Sequence, residues 1–195
     1  MKADNGNARI FVFTGPDGSG RKTVADMVGS TLELEKVLSC TTRSRRPGEQ
    51  EGQDYQFLSA EQFREADESG AFIESVFIDG HYYGIRHADI ERLSAANKHA
   101  YLILNTKGAS ILKAVYGERV VEVFLYADRT SVESRQRERG DAEDVIRKHM
   151  SHYDEAMAYM GECAHVFENL DLAHTVFEIT NRLESYLDRH LLNLD

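Results

Sequence analysis

Short apolar runs alternate along this chain with stretches in which apolar residues recur every three or four positions, a pattern that predicts alternating strands and helices. The run ARIFVFT at 8–14 reads as a strand; after the glycine-rich stretch from Gly15 to Gly20, Val24, Met27 and Val28 recur at helical spacing. A second strand is predicted over 35–40, followed by a polar loop over 41–53 that holds Pro47, a strand at 55–58 and a helix opening after Ser59. Two β-like runs, 71–78 and 81–85, flank Asp79-Gly80, a dipeptide that favours the positive φ angles of a tight hairpin. Alternation then resumes: strand 100–104, helix 109–115, strand 120–125, helix 131–137, and a charged stretch over 135–148 leading into a helix that ends near Met160. A strand at 165–168 and a helix over 172–191 close the chain. Repeated strand–helix alternation implies an α/β fold, a mostly parallel sheet flanked by helices, with the hairpin region as an inserted β-rich lobe.

A length of 195 residues suits a single domain, 1–195, rather than two independent cores. The apolar fraction of 42% and charged fraction of 29% are ordinary for a globular chain, and no apolar stretch reaches the roughly 18 residues of a membrane span. No membrane partner is expected. Residues 1–7 are polar apart from Met1 and Ala3, which argues against a secretory signal and for a cytoplasmic location. Cys40 and Cys163 stand far apart without metal-ligand spacing and are expected to be reduced thiols in or near strands. A formal charge of -10 disfavours a nucleic-acid polymer as partner, because such binding rests on a basic surface that releases counterions. A few arginines focused in one cleft can still hold a small phosphorylated ligand.

The first motif is GPDGSGRKT, from Gly15 to Thr23, between a predicted strand and a predicted helix. Glycines in that setting let backbone N–H groups approach phosphate oxygens at a helix N-terminus. Against the pattern GxxxxGK[ST], Arg21 stands at the lysine and Lys22 at the hydroxyl residue. An inserted residue would restore Lys22-Thr23 as the lysine–hydroxyl pair, but the register set by Val24 and Val28 favours no insertion. Gly15, Gly18, Ser19, Gly20, Arg21, Lys22 and Thr23 are the candidate ATP-binding residues.

The second motif, SCTTRSRRPGEQEGQDYQF at 39–57, places two guanidinium forks and a phenol around one loop, a combination suited to a phosphate monoester. It resembles SxTTRxxRxGExxGxDYxF, the monophosphate-binding motif of the guanylate kinase family, at the place where that family carries it. The resemblance extends over nearly the whole chain. It implies a P-loop nucleoside monophosphate kinase fold with a core of 1–38 and 99–195, a GMP-binding lobe over about 39–98 and a helical lid over about 129–149. It further implies that Ser39, Arg43, Arg46 and Tyr55 hold the monophosphate of GMP, that Glu74 reads the guanine edge and that Tyr83 lines the same pocket. A carboxylate can accept from the guanine N1–H and its exocyclic amine, a donor pair adenine lacks. Asn169 matches an asparagine that faces the ATP base. Arg139 matches one arginine that clamps the transferring phosphoryl group, and the second clamp falls on or near His149, with Arg147 as a substitute.

The chain also departs from the family. Ile85 replaces a Ser or Thr, removing one hydroxyl contact worth on the order of 1 kcal/mol. Lys22 puts an ammonium where a metal-binding hydroxyl belongs, and Ile103 and Asn105 occupy acidic positions, so the site for magnesium accompanying ATP is impaired. The resemblance therefore implies a protein that binds GMP, with Arg21, Lys22, Arg139 and Arg147 as catalytic candidates and with ATP-dependent phosphorylation of GMP to GDP weak or lost. Two other functions fit the same residues: an inactive guanine-nucleotide sensor or protein-interaction module using the GMP cleft, and a P-loop kinase of another phosphorylated small molecule. No protein partner is indicated.

Overall fold

The computed structural model describes residues 8–187, so the first seven residues and the end of the helix expected over 172–191 lie outside it. Strand β1 (Ile10–Thr14) is buried along its whole length and lies at the centre of a five-stranded parallel sheet. The order is β2 (Glu35–Lys36), β7 (Ala100–Ile103), β1, β8 (Val120–Tyr126), β9 (His165–Glu168). Near-continuous apolar runs in β1 and β8 fit strands covered on both faces. One face packs on α1 (Arg21–Thr31) and α8 (Leu172–Glu184) through Phe11, Phe13, Val28 and Ile179. The other packs on α3 (His87–Ala95) and α4 (Thr106–Tyr116) through Val12, Leu102, Ile90 and Leu112.

A second sheet has the order β4 (Gln56–Phe57), β3 (Cys40–Thr41), β6 (His81–Arg86), β5 (Phe72–Ile78), with β5 and β6 joined antiparallel across Asp79-Gly80 as the sequence suggested. The strand expected over 35–40 is divided: residues 35–36 pair with β7 in the large sheet and 40–41 with β4 and β6 in the small one. Three residues between them carry the chain from one sheet to the other, and Ser39 lies at that crossing. Helix α2 (Ala60–Glu68) starts on a reciprocal cap between Ser59 and Gln62, and its Phe63 stacks on Phe72 beneath the small sheet. Ile85 and Ile90, from the expected lobe, are buried in the core of the large sheet, so lobe and core share one apolar interior.

Helices α5 (Arg129–Glu138) and α6 (Glu143–Ser151), in the region expected to form the lid, and α7 (Tyr153–Ala158) after it pack around Val132, Ile146, Met150 and Tyr153. Helix is thus already present through much of the charged stretch 135–148, interrupted at Gly140, whose φ is 87°. Among the described residues no helix is long and apolar enough to cross a membrane, and both cysteines are free.

Candidate active site

The C-terminal end of β1 turns directly into the phosphate loop. An added Cβ at Gly15 would lie 2.0 Å from the Leu125 carbonyl oxygen, and one at Gly20 would lie 2.4 Å from Asn169 Nδ2, so neither position accepts a side chain. Gly20, with φ 92°, is the residue before α1, and Arg21 is the first helical residue. The loop is therefore in the uninserted register, with Arg21 in the lysine place. Asn169 is buried and its amide donates to the Ser19 carbonyl at 2.8 Å. That hydrogen bond ties the loop to the end of β9, a contact that the role implied for Asn169 at the ATP base does not itself require.

A cleft of about 380 Å³ opens between the loop, the small sheet and the lid. Ser39, Arg43, Arg46, Tyr55, Glu74 and Tyr83 all line it, together with Asp17, Arg21 and His149. Six residues scattered over 45 positions converge because β3, β5 and β6 are neighbours in one sheet and the 41–53 loop folds back across its edge. Arg43 makes a two-pronged ion pair with Glu49, at 2.8 and 3.0 Å, and its guanidinium lies 5.3 Å from the centre of the Tyr55 ring. Burial works against the Arg43 charge, but Glu49 more than offsets it and holds the guanidinium firmly protonated. Glu49 also accepts the Arg46 backbone N–H at 2.7 Å, fixing the loop, while no carboxylate among the described residues lies within ion-pair distance of the Arg46 guanidinium.

Glu74 sits on β5 over the first turn of α4, where a Cβ on Gly108 would only just touch its carboxyl at 3.5 Å. It is buried, its Oε2 has no hydrogen-bond partner, and burial pushes its pKa up to about 7. A buried acceptor without a donor costs stability unless a ligand supplies one. Ile85, directly across the ladder from Glu74, is fully buried in the core and lines no part of the cleft.

A second cavity of about 290 Å³ adjoins the first and shares Asp17, Arg21, Asn105 and His149 with it. The Arg21 guanidinium donates to the Leu104 carbonyl at 2.9 Å and pairs with the Asp17 carboxylate. Partial burial acts to raise the Asp17 pKa, but Arg21, with His149, Arg46 and Arg139 around it, holds it below the ordinary value. Lys22 points elsewhere: its ammonium is 3.0 Å from Asp54 and 3.2 Å from Asp26, outside both cavities, and Thr23 beside it is exposed. Ile103 and Asn105 do line the first cleft, yet Asn105 Oδ1 is engaged in capping α4 at Gly108 N–H. An ammonium, an aliphatic chain and an amide do not fit a resident magnesium site, and no group of three His, Cys, Asp or Glu side chains among the described residues could hold a metal ion.

The clamp candidates are placed differently from one another. Arg139 caps the end of α5 and pairs with Asp141; it lines neither cavity itself, though its charge acts on Asp17 at their edge. Arg147 is exposed and lines neither cavity, whereas Val145, Lys148 and His149 line the first. Positions 147 and 149 flank the buried Ile146–Met150 stripe of α6 on opposite sides, and the flank turned to the cleft is the one that carries 145, 148 and 149. His149 Nδ1 lies 2.6 Å from Oε1 of the buried Gln136, which orients the ring, and burial lowers its pKa. Sequence reasoning also passed over Asp79, whose carboxylate at the hairpin tip meets Lys148 at 3.2 Å and His152 at 3.3 Å, joining lobe to lid. A single acidic residue in a turn gives no signal of a contact made across 70 positions.

The family model described as guanylate kinase matches residues 7–186. A guanylate kinase of Chlorobaculum tepidum is 33% identical over 183 residues, covering 92% of this chain and 93% of that one. A guanylate kinase of Chlamydia trachomatis serovar D is 33% identical over 168 residues, covering 84% and 81%. The crystal structure of guanylate kinase from Anaplasma phagocytophilum superposes with a TM-score of 0.75 over 94% of this chain and 88% of that chain; at 24% identity it speaks for the fold.

Proposed function

The chain belongs to the guanylate kinase family, and from that premise we propose that it binds GMP in the larger cleft and transfers the γ-phosphoryl group of ATP to it slowly, giving GDP and ADP. The observation that carries this reading is the convergence of Ser39, Arg43, Arg46, Tyr55, Glu74 and Tyr83 on one cavity that also meets Arg21 of the phosphate loop. Arg43 and Arg46 offer guanidinium forks to the monophosphate, with the Tyr55 hydroxyl beside them. The Glu74 carboxylate accepts from the guanine N1–H and exocyclic amine, which gives its orphaned Oε2 a donor. A GMP phosphate oxygen then attacks the γ-phosphorus in line, the bond to the β–γ bridging oxygen breaks, and ADP leaves. Arg21, Arg139 and His149 are the cations available to the charge spread over the transferring group.

Slowness follows from what those cations already hold. Arg21 and Arg139 are each paired with an acid of the chain itself, and burial lowers the His149 pKa, which disfavours its charged form. Position 22 would offer no hydroxyl to a magnesium ion accompanying ATP, since it holds Lys22. Loss of one preorganised electrostatic contact typically costs about 10²- to 10³-fold in turnover. A coupled spectrophotometric assay with magnesium, ATP and GMP tests the proposal, with Arg43→Ala purified in parallel to reveal contaminating host kinase. Turnover above that variant, yet below the roughly 1 to 100 per second of ordinary kinases, is the expected result. Equal rates in both preparations, with GMP binding intact in the wild type, would make the protein a nucleotide-binding module.

A further inference from the structure

We propose that Asp17 is a built-in competitor in the phosphate loop: its carboxylate holds the Arg21 guanidinium that the donor's terminal phosphates need, so that a nucleotide triphosphate binds only by displacing it. The proposal rests on the reading of this loop as the ATP phosphate site. Asp17 lies at the loop's outer bend, between the two glycines with φ of 131° and 85°, Gly15 and Gly18, and it lines both cavities where they meet. Its partner Arg21 is the only cation on the first turn of α1 that faces the cavities, since Lys22 is turned away to Asp54 and Asp26.

Both arms of the Arg21 fork are engaged within the chain, one by the Leu104 carbonyl and the other by Asp17. An incoming phosphate must take over the second arm. Arg46, Arg139 and His149 are close enough to act on the same carboxylate and keep it ionised. A fixed negative charge therefore stands where negative charge is to be received. Phosphate and carboxylate compete for one set of donors, and like charges a few ångströms apart in a partly dry cleft repel strongly. Asp17 is half-exposed while Arg21 is mostly buried, so the mobile member of the pair is the acid. Displacement then means that Asp17 swings toward solvent while the guanidinium stays.

The pairing differs in kind from Arg43 with Glu49. Glu49 also accepts the Arg46 backbone N–H and so builds the monophosphate loop, whereas among the described residues Asp17 makes no side-chain hydrogen bond or ion pair except to Arg21.

Isothermal titration of the full chain with ATP, in EDTA and again with magnesium, compares wild type with Asp17→Asn and Asp17→Ser. Glu178→Gln, on the exposed side of α8 and outside both cavities, removes the same formal charge and controls for net charge. Both Asp17 variants are expected to bind ATP on the order of tenfold more tightly than wild type in EDTA, with Glu178→Gln unchanged. Unchanged or weaker ATP binding by the Asp17 variants overturns the proposal, and weakening confined to magnesium would assign Asp17 to the metal side of the nucleotide instead. GMP titrations of the same preparations separate the two readings: loss of GMP binding in wild type counts against the proposed function, while GMP binding without the ATP gain counts against the role of Asp17 alone.

Discussion

Replacing Glu74 by Gln should stabilise the folded chain and weaken its hold on GMP, two opposite effects of one atom. Glu74 is only 4% exposed, its Oε2 lacks a partner, and burial alone moves its pKa from 4.5 to about 7. Between those values the folded chain keeps a proton that the unfolded chain has released. Stability conferred by holding that proton is complete at low pH and is lost as pH rises through about 7. The interval is about 2.5 pH units, and at about 1.36 kcal/mol per unit it places the cost of ionising Glu74 at roughly 3 kcal/mol above pH 7. A glutamine of the same shape carries no charge to bury. Urea unfolding at pH 8 should show Glu74→Gln more stable by up to about 3 kcal/mol, with most of the difference gone by pH 5. GMP binding should fall by about 10- to 100-fold at pH 8, since the glutamine amide presents one acceptor and a donor to a base edge that offers two donors. A variant no more stable than wild type at pH 8 would refute the burial argument, and undiminished GMP affinity would refute the assignment of Glu74 to the base.

The remaining predictions concern the loop and the lid. Gly20→Ala should destabilise the chain by about 1 to 3 kcal/mol in denaturant melts, because φ is 92° and the new Cβ would meet Asn169 Nδ2 at 2.4 Å; an unchanged midpoint would show that the loop yields freely. Lys22→Thr should raise magnesium-dependent turnover by about tenfold or more by supplying a hydroxyl at the start of α1, and a fall would indicate that the Lys22–Asp54 ion pair matters more to closing the lobe. Arg147→Ala should change turnover less than about twofold, whereas Arg139→Ala should cost about 10²-fold; comparable losses would return Arg147 to the cleft. His149→Arg should accelerate turnover more at pH 8 than at pH 6, because burial lowers the pKa of the histidine and it loses its charge as pH rises, while arginine keeps it. An equal gain at both values would remove His149 from the set of charges acting on the phosphoryl group.

Local sequence determined a good deal of this protein. Short apolar runs and period-3.6 patterns located the strands of the large sheet and the helices α1, α4 and α8 beside it, though not α3; Asp79-Gly80 located the hairpin, and the fixed spacing of 39–57 marked the loop that lines the larger cleft, because each depends on residues close together in the chain. Tertiary structure decided the rest. The run at 35–40 is uniformly strand-like, and only the two different sets of partners divide it between sheets. Ile85 matches a pocket position in order but is drawn into the core by Ile90 and Leu102. Position 149 rather than 147 reaches the cleft because, of the two flanks of the buried Ile146–Met150 stripe of α6, the one that carries 145, 148 and 149 is turned to it. Lys22 turns away because Asp54 and Asp26 lie within reach, and Asp17 turns inward to Arg21. In each case the residue type is fixed by the sequence, whereas the direction of the side chain is settled by neighbours that the chain brings together from tens of residues away.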